Sequence, residues 1–153
     1  MDSALLIARA KDKLGIASLT PMQREMANVP LPAHLMLNAP TGSGKTLAFA
    51  LPFLRSLNVN GEDIRGLVIV PTRELALQVF EVVRSLASPD FKTAALYGGH
   101  SFDAEVKSLG GNPAIIVATP GRLLDHIRRG TVNVFGVTAL VLDEYDKSLE
   151  LGF

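Results

Sequence analysis

The stretch Ala39-Pro40-Thr41-Gly42-Ser43-Gly44-Lys45-Thr46 limits what this chain can fold into more than any other. It follows the apolar run Leu35-Met36-Leu37 and opens into Leu47-Ala48-Phe49-Ala50-Leu51, so it reads as strand, glycine-rich loop and helix. Such a loop gathers backbone N–H groups and the positive end of a helix dipole around one small volume, where a pyrophosphate exchanges its hydration for fixed donors. In this pattern Lys45 supplies a point charge for the β/γ-phosphates, and the Thr46 hydroxyl is suited to ligate magnesium. The strict pattern has glycine where Ala39 stands.

The rest of the chain alternates apolar strands with helices. Helices are expected over residues 3–14, closed by Gly15, and from Thr20, where Pro21 and Gln23 complete a capping-box pattern. A further helix runs from about Lys45 to Leu57, with Pro52 expected to kink it, and Asn58-Val59-Asn60-Gly61 reads as a turn. Gly66–Val70, Phe91–Tyr97, Ala114–Ala118 and Ala139–Leu142 read as strands; Pro71-Thr72-Arg73-Glu74 leads into a helix through Leu75 to Leu86 that ends before Ser88, and Phe102–Leu109 and Gly121–Arg129 read as further helices. Short, wholly apolar strands in this alternation specify a parallel sheet with helices on both faces, and such sheets bind ligands at the carboxyl ends of their strands. Polar signatures follow Leu37, Val70 and Leu142, all at such ends.

Asp143 and Glu144 directly follow an apolar strand, roughly a hundred residues beyond the phosphate loop, and form its natural complement. Asp143 can hold magnesium and Glu144 can orient an attacking water, which is nearly all a weak phosphohydrolase needs.

Composition narrows the setting. At 153 residues the chain fits one domain, and its 15 basic and 15 acidic residues cancel, which argues against a whole-surface footprint for nucleic acid but leaves room for a local basic groove. It contains no cysteine, so disulfide and thiolate-metal frameworks are excluded, in keeping with a cytoplasmic protein. No apolar run is long enough to cross a membrane, and no signal peptide is expected at the N-terminus. His34, His100 and His126 lack metal-ligand spacing and carry no assigned role; Arg128-Arg129 reads as a solvated helix end.

Thr41–Thr46, Pro71-Thr72-Arg73-Glu74-Leu75, Gly98-Gly99, Thr119-Pro120-Gly121-Arg122 and Val141–Asp146 stand in the order found in DEAD-box RNA helicases, and Thr20-Pro21-Met22-Gln23 resembles that family's adenine-reading motif. The resemblance spans nearly the whole chain. It implies a RecA-like P-loop NTPase domain over residues 1–153, ATP and Mg²⁺ as cofactors, and coupling of ATP hydrolysis to RNA unwinding in a longer protein. By the same resemblance Gln23 reads adenine; Thr41, Gly42, Ser43, Gly44, Lys45 and Thr46 hold the phosphates; and Thr46 and Asp143 hold the metal. Lys45, Asp143 and Glu144 are the catalytic set, and Pro71, Thr72, Arg73, Glu74, Gly98, Gly99, Thr119, Gly121 and Arg122 line a sequence-independent RNA path. Gln23 thus has two readings, capping and adenine recognition, compatible if different atoms serve each. The arginines have a second reading as ordinary ion pairs.

Besides Ala39, three features depart from the family pattern, the first being Ile16 and Ser18, which stand where the family has Phe and often a basic residue before its adenine-reading motif. Tyr145 replaces an alanine in the acidic motif, and the packing beneath that loop is expected to make room for a phenol. The sequence stops at Phe153, before the family's Ser-Ala-Thr motif, the strand that carries it, and the second RecA-like domain. A sheet without one central strand leaves three outcomes open: the flanking strands close up, a second copy supplies the strand by exchange or dimerisation, or the natural protein continues. Such a chain should bind ATP or ADP and hydrolyse little, since the transition-state arginine lies in the second domain. The alternative function is a non-catalytic RNA-binding module with a vestigial phosphate loop; another is an ATPase that remodels protein.

Overall fold

The computed structural model describes residues 1–58 and 63–152. Its elements are α1 (Ser3–Leu14), α2 (Pro21–Asn28), α3 (Lys45–Ser56), β1 (Gly66–Ile69), α4 (Arg73–Leu86), β2 (Thr93–Leu96), α5 (Phe102–Leu109), β3 (Ile115–Ala118), α6 (Pro120–Arg128), β4 (Ala139–Leu142) and α7 (Tyr145–Glu150). Most of the turn expected at Asn58–Gly61 lies outside the described residues.

Local chemistry sets the helix boundaries. The Thr72 hydroxyl accepts the Leu75 N–H at 3.2 Å and Ser101 does the same for Ala104, which starts α4 and α5 by satisfying amides with no intrahelical partner. Gly15, at φ 65°, ends α1 in the left-handed conformation that glycine adopts without steric cost. Pro52 lies within α3, which continues through it to Ser56.

The four strands form one all-parallel sheet in the order β2-β3-β1-β4. Successive residues point to opposite faces. Val68, Val70, Ile115 and Val117 enter the larger core beneath α1 to α4, while Leu67, Leu96, Ile116 and Ala118 enter a smaller one closed by Leu109, Leu123 and Val132. Each fully buried Val or Ile contributes about 1.5–3 kcal/mol of transfer free energy, so β3, buried at every position, anchors both layers. Helices therefore cover both faces, as the alternation requires.

At β4 the sheet stops. Leu140 and Leu142 are more than half exposed, and no strand pairs with the far edge of β4 among the described residues. Leu35-Met36-Leu37, expected as the strand leading into the phosphate loop, is not one: the segment has no ladder and Met36 is 95% exposed. A strand exists only with a neighbour to take its N–H and C=O groups, and an apolar run without one leaves those groups to water. Closing up of the two flanking strands is thus not the outcome adopted. Tyr145 also differs from expectation. It is exposed at the first position of α7, so no packing beneath the loop has to admit it.

Candidate functional site

The loop after Ala39 turns tightly, with Ser43 N–H donating to Pro40 O at 3.3 Å and Gly44, at φ 85°, leading into α3. Gly44 has no alternative here. A Cβ at this position would collide with the Gln23 side-chain amide, which donates from Nε2 to Gly44 O at 3.2 Å. The loop and two other segments enclose a cleft of about 320 Å³, lined by Thr41, Gly42, Gly44, Lys45 and Thr46, by Leu75 and Gln78 of α4, and by Asp143 and Glu144 at the end of β4. Residues read separately from the sequence as phosphate-binding and acidic thus face one volume.

The donors of this cleft suit an anion. Lys45 Nζ donates to the Ala39 carbonyl at 2.7 Å, and an ammonium resting on a neutral carbonyl gains when phosphate oxygens are offered. Ser43 Oγ, buried without a hydrogen-bond partner among the described residues, is not among the groups that line the cleft. Thr46 and Asp143, both lining the cleft, provide a hydroxyl and a carboxylate of the hard-oxygen type that magnesium takes.

Asp143 is buried, and burial is the main reason its carboxyl titrates above 3.8; the Glu144 amide, donating to Oδ1 at 3.0 Å, opposes this, and the Glu144 charge adds to it. The sign follows from linkage. The folded chain holds the Asp143 proton more tightly than the unfolded chain, so the ionised form costs stability above the folded titration point, and the cost vanishes as pH falls toward 3.8. Asp143→Asn is therefore expected to melt a few degrees higher at pH 7 and to lose magnesium-dependent nucleotide binding. Calorimetry on both proteins should show the gap narrowing as pH is lowered toward 4. A melting temperature at pH 7 equal to or below that of the parent would contradict this.

Glu144 adopts φ 46°, a left-handed conformation costing of order 1 kcal/mol for a non-glycine residue. Its carboxylate accepts from Lys147 Nζ at 2.8 Å, and that bond is the first cause of a raised Lys147 titration point. The pair is exposed on the lysine side and exchanges readily for other partners.

Gln23 is buried and completes the capping box, its Oε1 accepting the Thr20 N–H at 2.9 Å while its own N–H donates to Thr20 Oγ1 at 3.3 Å. Nε2 is a separate atom turned to the phosphate loop. The cap and the Gly44 bond together leave one Nε2 hydrogen and one Oε1 lone pair for another partner.

The remaining motif residues follow β1, β2 and β3, three adjacent strands. Thr72, Arg73 and Glu74 are exposed at the start of α4, Gly98 and Gly99 follow β2, and Thr119, Pro120, Gly121 and Arg122 form the start of α6; Pro71 is buried. Arg73 and Arg122 meet at the loop of residues 98–100. Arg73 lies so close over Gly99, itself at φ 79°, that a Cβ there would come within 2.8 Å of Nη1. Arg122 donates from Nη2 to His100 O at 2.8 Å and from Nε to Glu105 Oε2 at 2.6 Å. Expected as a phosphate donor, Arg122 is only 16% exposed and directs two of its N–H groups into the protein.

The DEAD/DEAH box helicase family model matches residues 20–153. The chain belongs to that family. It is 42% identical over 150 residues to the ATP-dependent RNA helicase DeaD of Buchnera aphidicola subsp. Schizaphis graminum, covering 96% of this chain and 25% of that protein. To the ATP-dependent RNA helicase CshA of Listeria monocytogenes it is 40% identical over 149 residues, covering 96% of this chain and 29% of the relative. The chain thus spans between a quarter and a third of these curated relatives. Among solved structures, the yeast DEAD-box splicing factor Prp28 superposes with a TM-score of 0.83 at 33% identity, over 97% of this chain and 38% of that one. A hypothetical ATP-dependent RNA helicase from Sulfolobus tokodaii gives 0.82 at 34% identity, over 97% and 43%. The fold is accordingly the RecA-like α/β fold.

Two parts of this DEAD/DEAH box helicase domain's sites are not marked by its motifs. Gln78 lines the nucleotide cleft; its position one turn beyond Leu75 on α4 is the signal that could have found it. Glu105 and His126 form a buried cluster with Arg122, although neither shows metal-like or catalytic spacing in the sequence. No helix among the described residues is long and apolar enough to cross a membrane.

Proposed function

We propose that residues 1–153 form the N-terminal, ATP-binding RecA-like domain of a DEAD-box ATP-dependent RNA helicase. The observation that carries this reading is the cleft in which Lys45, Thr46, Asp143 and Glu144 face one volume, joined through Gly44 to the Gln23 amide. Lys45 and the loop amides bind the phosphates, Thr46 and Asp143 hold magnesium, Glu144 orients water, and Gln23 presents to adenine the donor and acceptor that its cap leaves over. When bound, magnesium neutralises phosphate charge.

Thr72, Arg73, Glu74, Gly98, Gly99, Thr119, Gly121 and the remaining N–H groups of Arg122 contact the RNA backbone, with Pro71 shaping the surface from within. Helix N-termini and glycine amides read phosphate rather than base, so binding is independent of sequence. A second RecA-like domain, in the longer protein, completes hydrolysis and unwinding, and this chain alone turns over little ATP. The free edge of β4 accepts one more strand, from the same longer protein or by exchange with a second copy. A cytoplasmic location agrees with the lack of cysteine.

The test is a titration of the chain with fluorescent ADP and GDP, with and without magnesium. Tighter, magnesium-dependent binding of ADP is expected. Binding of neither nucleotide, alongside RNA binding indifferent to magnesium, would replace this reading with the non-catalytic RNA-binding module.

A further inference from the structure

We infer that Glu105 is the positioning residue of the RNA-contact surface: its buried carboxylate holds the loop after β2 and the Arg122 guanidinium in the arrangement that phosphates require. The inference rests on the RNA reading proposed above. Glu105 is 1% exposed, and its two oxygens accept from three directions. Oε1 takes the Tyr97 N–H at 3.0 Å, and Oε2 takes Arg122 Nε at 2.6 Å and His126 Nε2 at 2.9 Å. A single carboxylate on α5 thereby ties the residue preceding Gly98-Gly99 to the first turn of α6, and Arg122 closes the ring by donating to His100 O.

The support around it is buried and hydrogen-bonded. His126 is wholly buried, its Nδ1 meets Thr131 Oγ1 at 2.8 Å, and Phe102 stacks on its ring at 4.3 Å. Arg122 and Arg129 both lie against the Phe102 ring, at 5.0 and 4.4 Å from its centroid. Burying an ion is costly, and well-packed apolar residues usually stabilise a fold as well or better. What the carboxylate adds is direction: it fixes the plane of the guanidinium and the path of residues 97–101, in the way supporting residues fix a binding site. Arg122 keeps both Nη1 hydrogens and one on Nη2 free of partners among the described residues, and their aim is set by the Glu105 bond.

Charge and position predict opposite results. An acid beside a phosphate path opposes RNA electrostatically, so Glu105→Gln should bind RNA tighter if the charge alone matters. If Glu105 positions the surface, the same variant binds more weakly. Labelled ten-nucleotide oligouridylate, followed by fluorescence anisotropy on the full chain, is expected to bind Glu105→Gln about tenfold more weakly than wild type, with ADP affinity unchanged. Equal or tighter RNA binding by a variant that still binds ADP would overturn the inference and leave the RNA reading intact. A wild-type chain that binds ADP but no RNA would remove both. Should Glu105→Gln fail to bind ADP, the wild-type chain decides the matter by NMR. An Arg122 Nε–H resonance that stays protected on RNA addition supports positioning, and one that loses protection as the guanidinium leaves Glu105 overturns it.

Discussion

Lys45→Ala is expected to weaken ADP and ATP binding about a hundredfold, some 2.7 kcal/mol, while leaving the melting temperature nearly unchanged. The asymmetry follows from the partners of Lys45. Its ammonium donates to one backbone carbonyl, Ala39 O, and makes no salt bridge among the described residues. Removing it from the fold therefore gives up one modest hydrogen bond and a minor attraction to Asp143. Removing it from the nucleotide complex gives up a charge facing several phosphate oxygens inside a cleft, where charged contacts are worth much more than at an open surface. Lys45→Arg should recover little, since a planar fork does not reproduce a compact point charge. Titration calorimetry with ADP and magnesium checks this. Affinity within threefold of wild type would mean that the loop amides hold the phosphates alone.

Gln23→Ala is expected to act on stability and specificity together. It removes the acceptor for the Thr20 N–H and the donor to Gly44 O, two bonds made by a buried side chain. Losing a capping interaction and one further buried bond costs about 2 kcal/mol, or about 4–8 °C in melting temperature for a domain of this size. The preference for ADP over GDP should disappear as well. Gln23→Glu separates the two effects: a carboxylate can still accept from Thr20 but repels the Gly44 carbonyl. It should thus retain α2 and disturb the phosphate loop. A Gln23→Ala chain that melts early yet keeps full ADP preference would reduce Gln23 to its capping role.

How far the sequence reaches depends on whether the determinants are local. The start of α2 can be read from Thr20 and Gln23, because a capping box is a contact over three residues. The burial of β1 and β3 is legible in Leu67-Val68-Ile69 and Ile115-Ile116-Val117, and with it the parallel sheet. Leu35-Met36-Leu37 has the same apolar character and forms no strand, since pairing depends on a neighbour that no local pattern reveals. At the site, the phosphate loop and the acidic pair are legible because their chemistry is carried by consecutive residues. Glu105 is not. Its sequence context is a short polar helix, and only the closure of α5 against α6 puts Arg122 and His126 beside it. Tyr145 illustrates the same limit, its exposure being decided by where α7 leaves the sheet.

Helix α4 has Arg73 and Glu74 on the edge where the loops after β1, β2 and β3 meet, and Leu75 and Gln78 in the nucleotide cleft. At 1.5 Å of rise per residue, less than two turns separate the two groups. Were a ligand at either end to shift this helix, the other place would move with it; binding at the two would then be linked, with the same free energy of coupling whichever ligand arrived first.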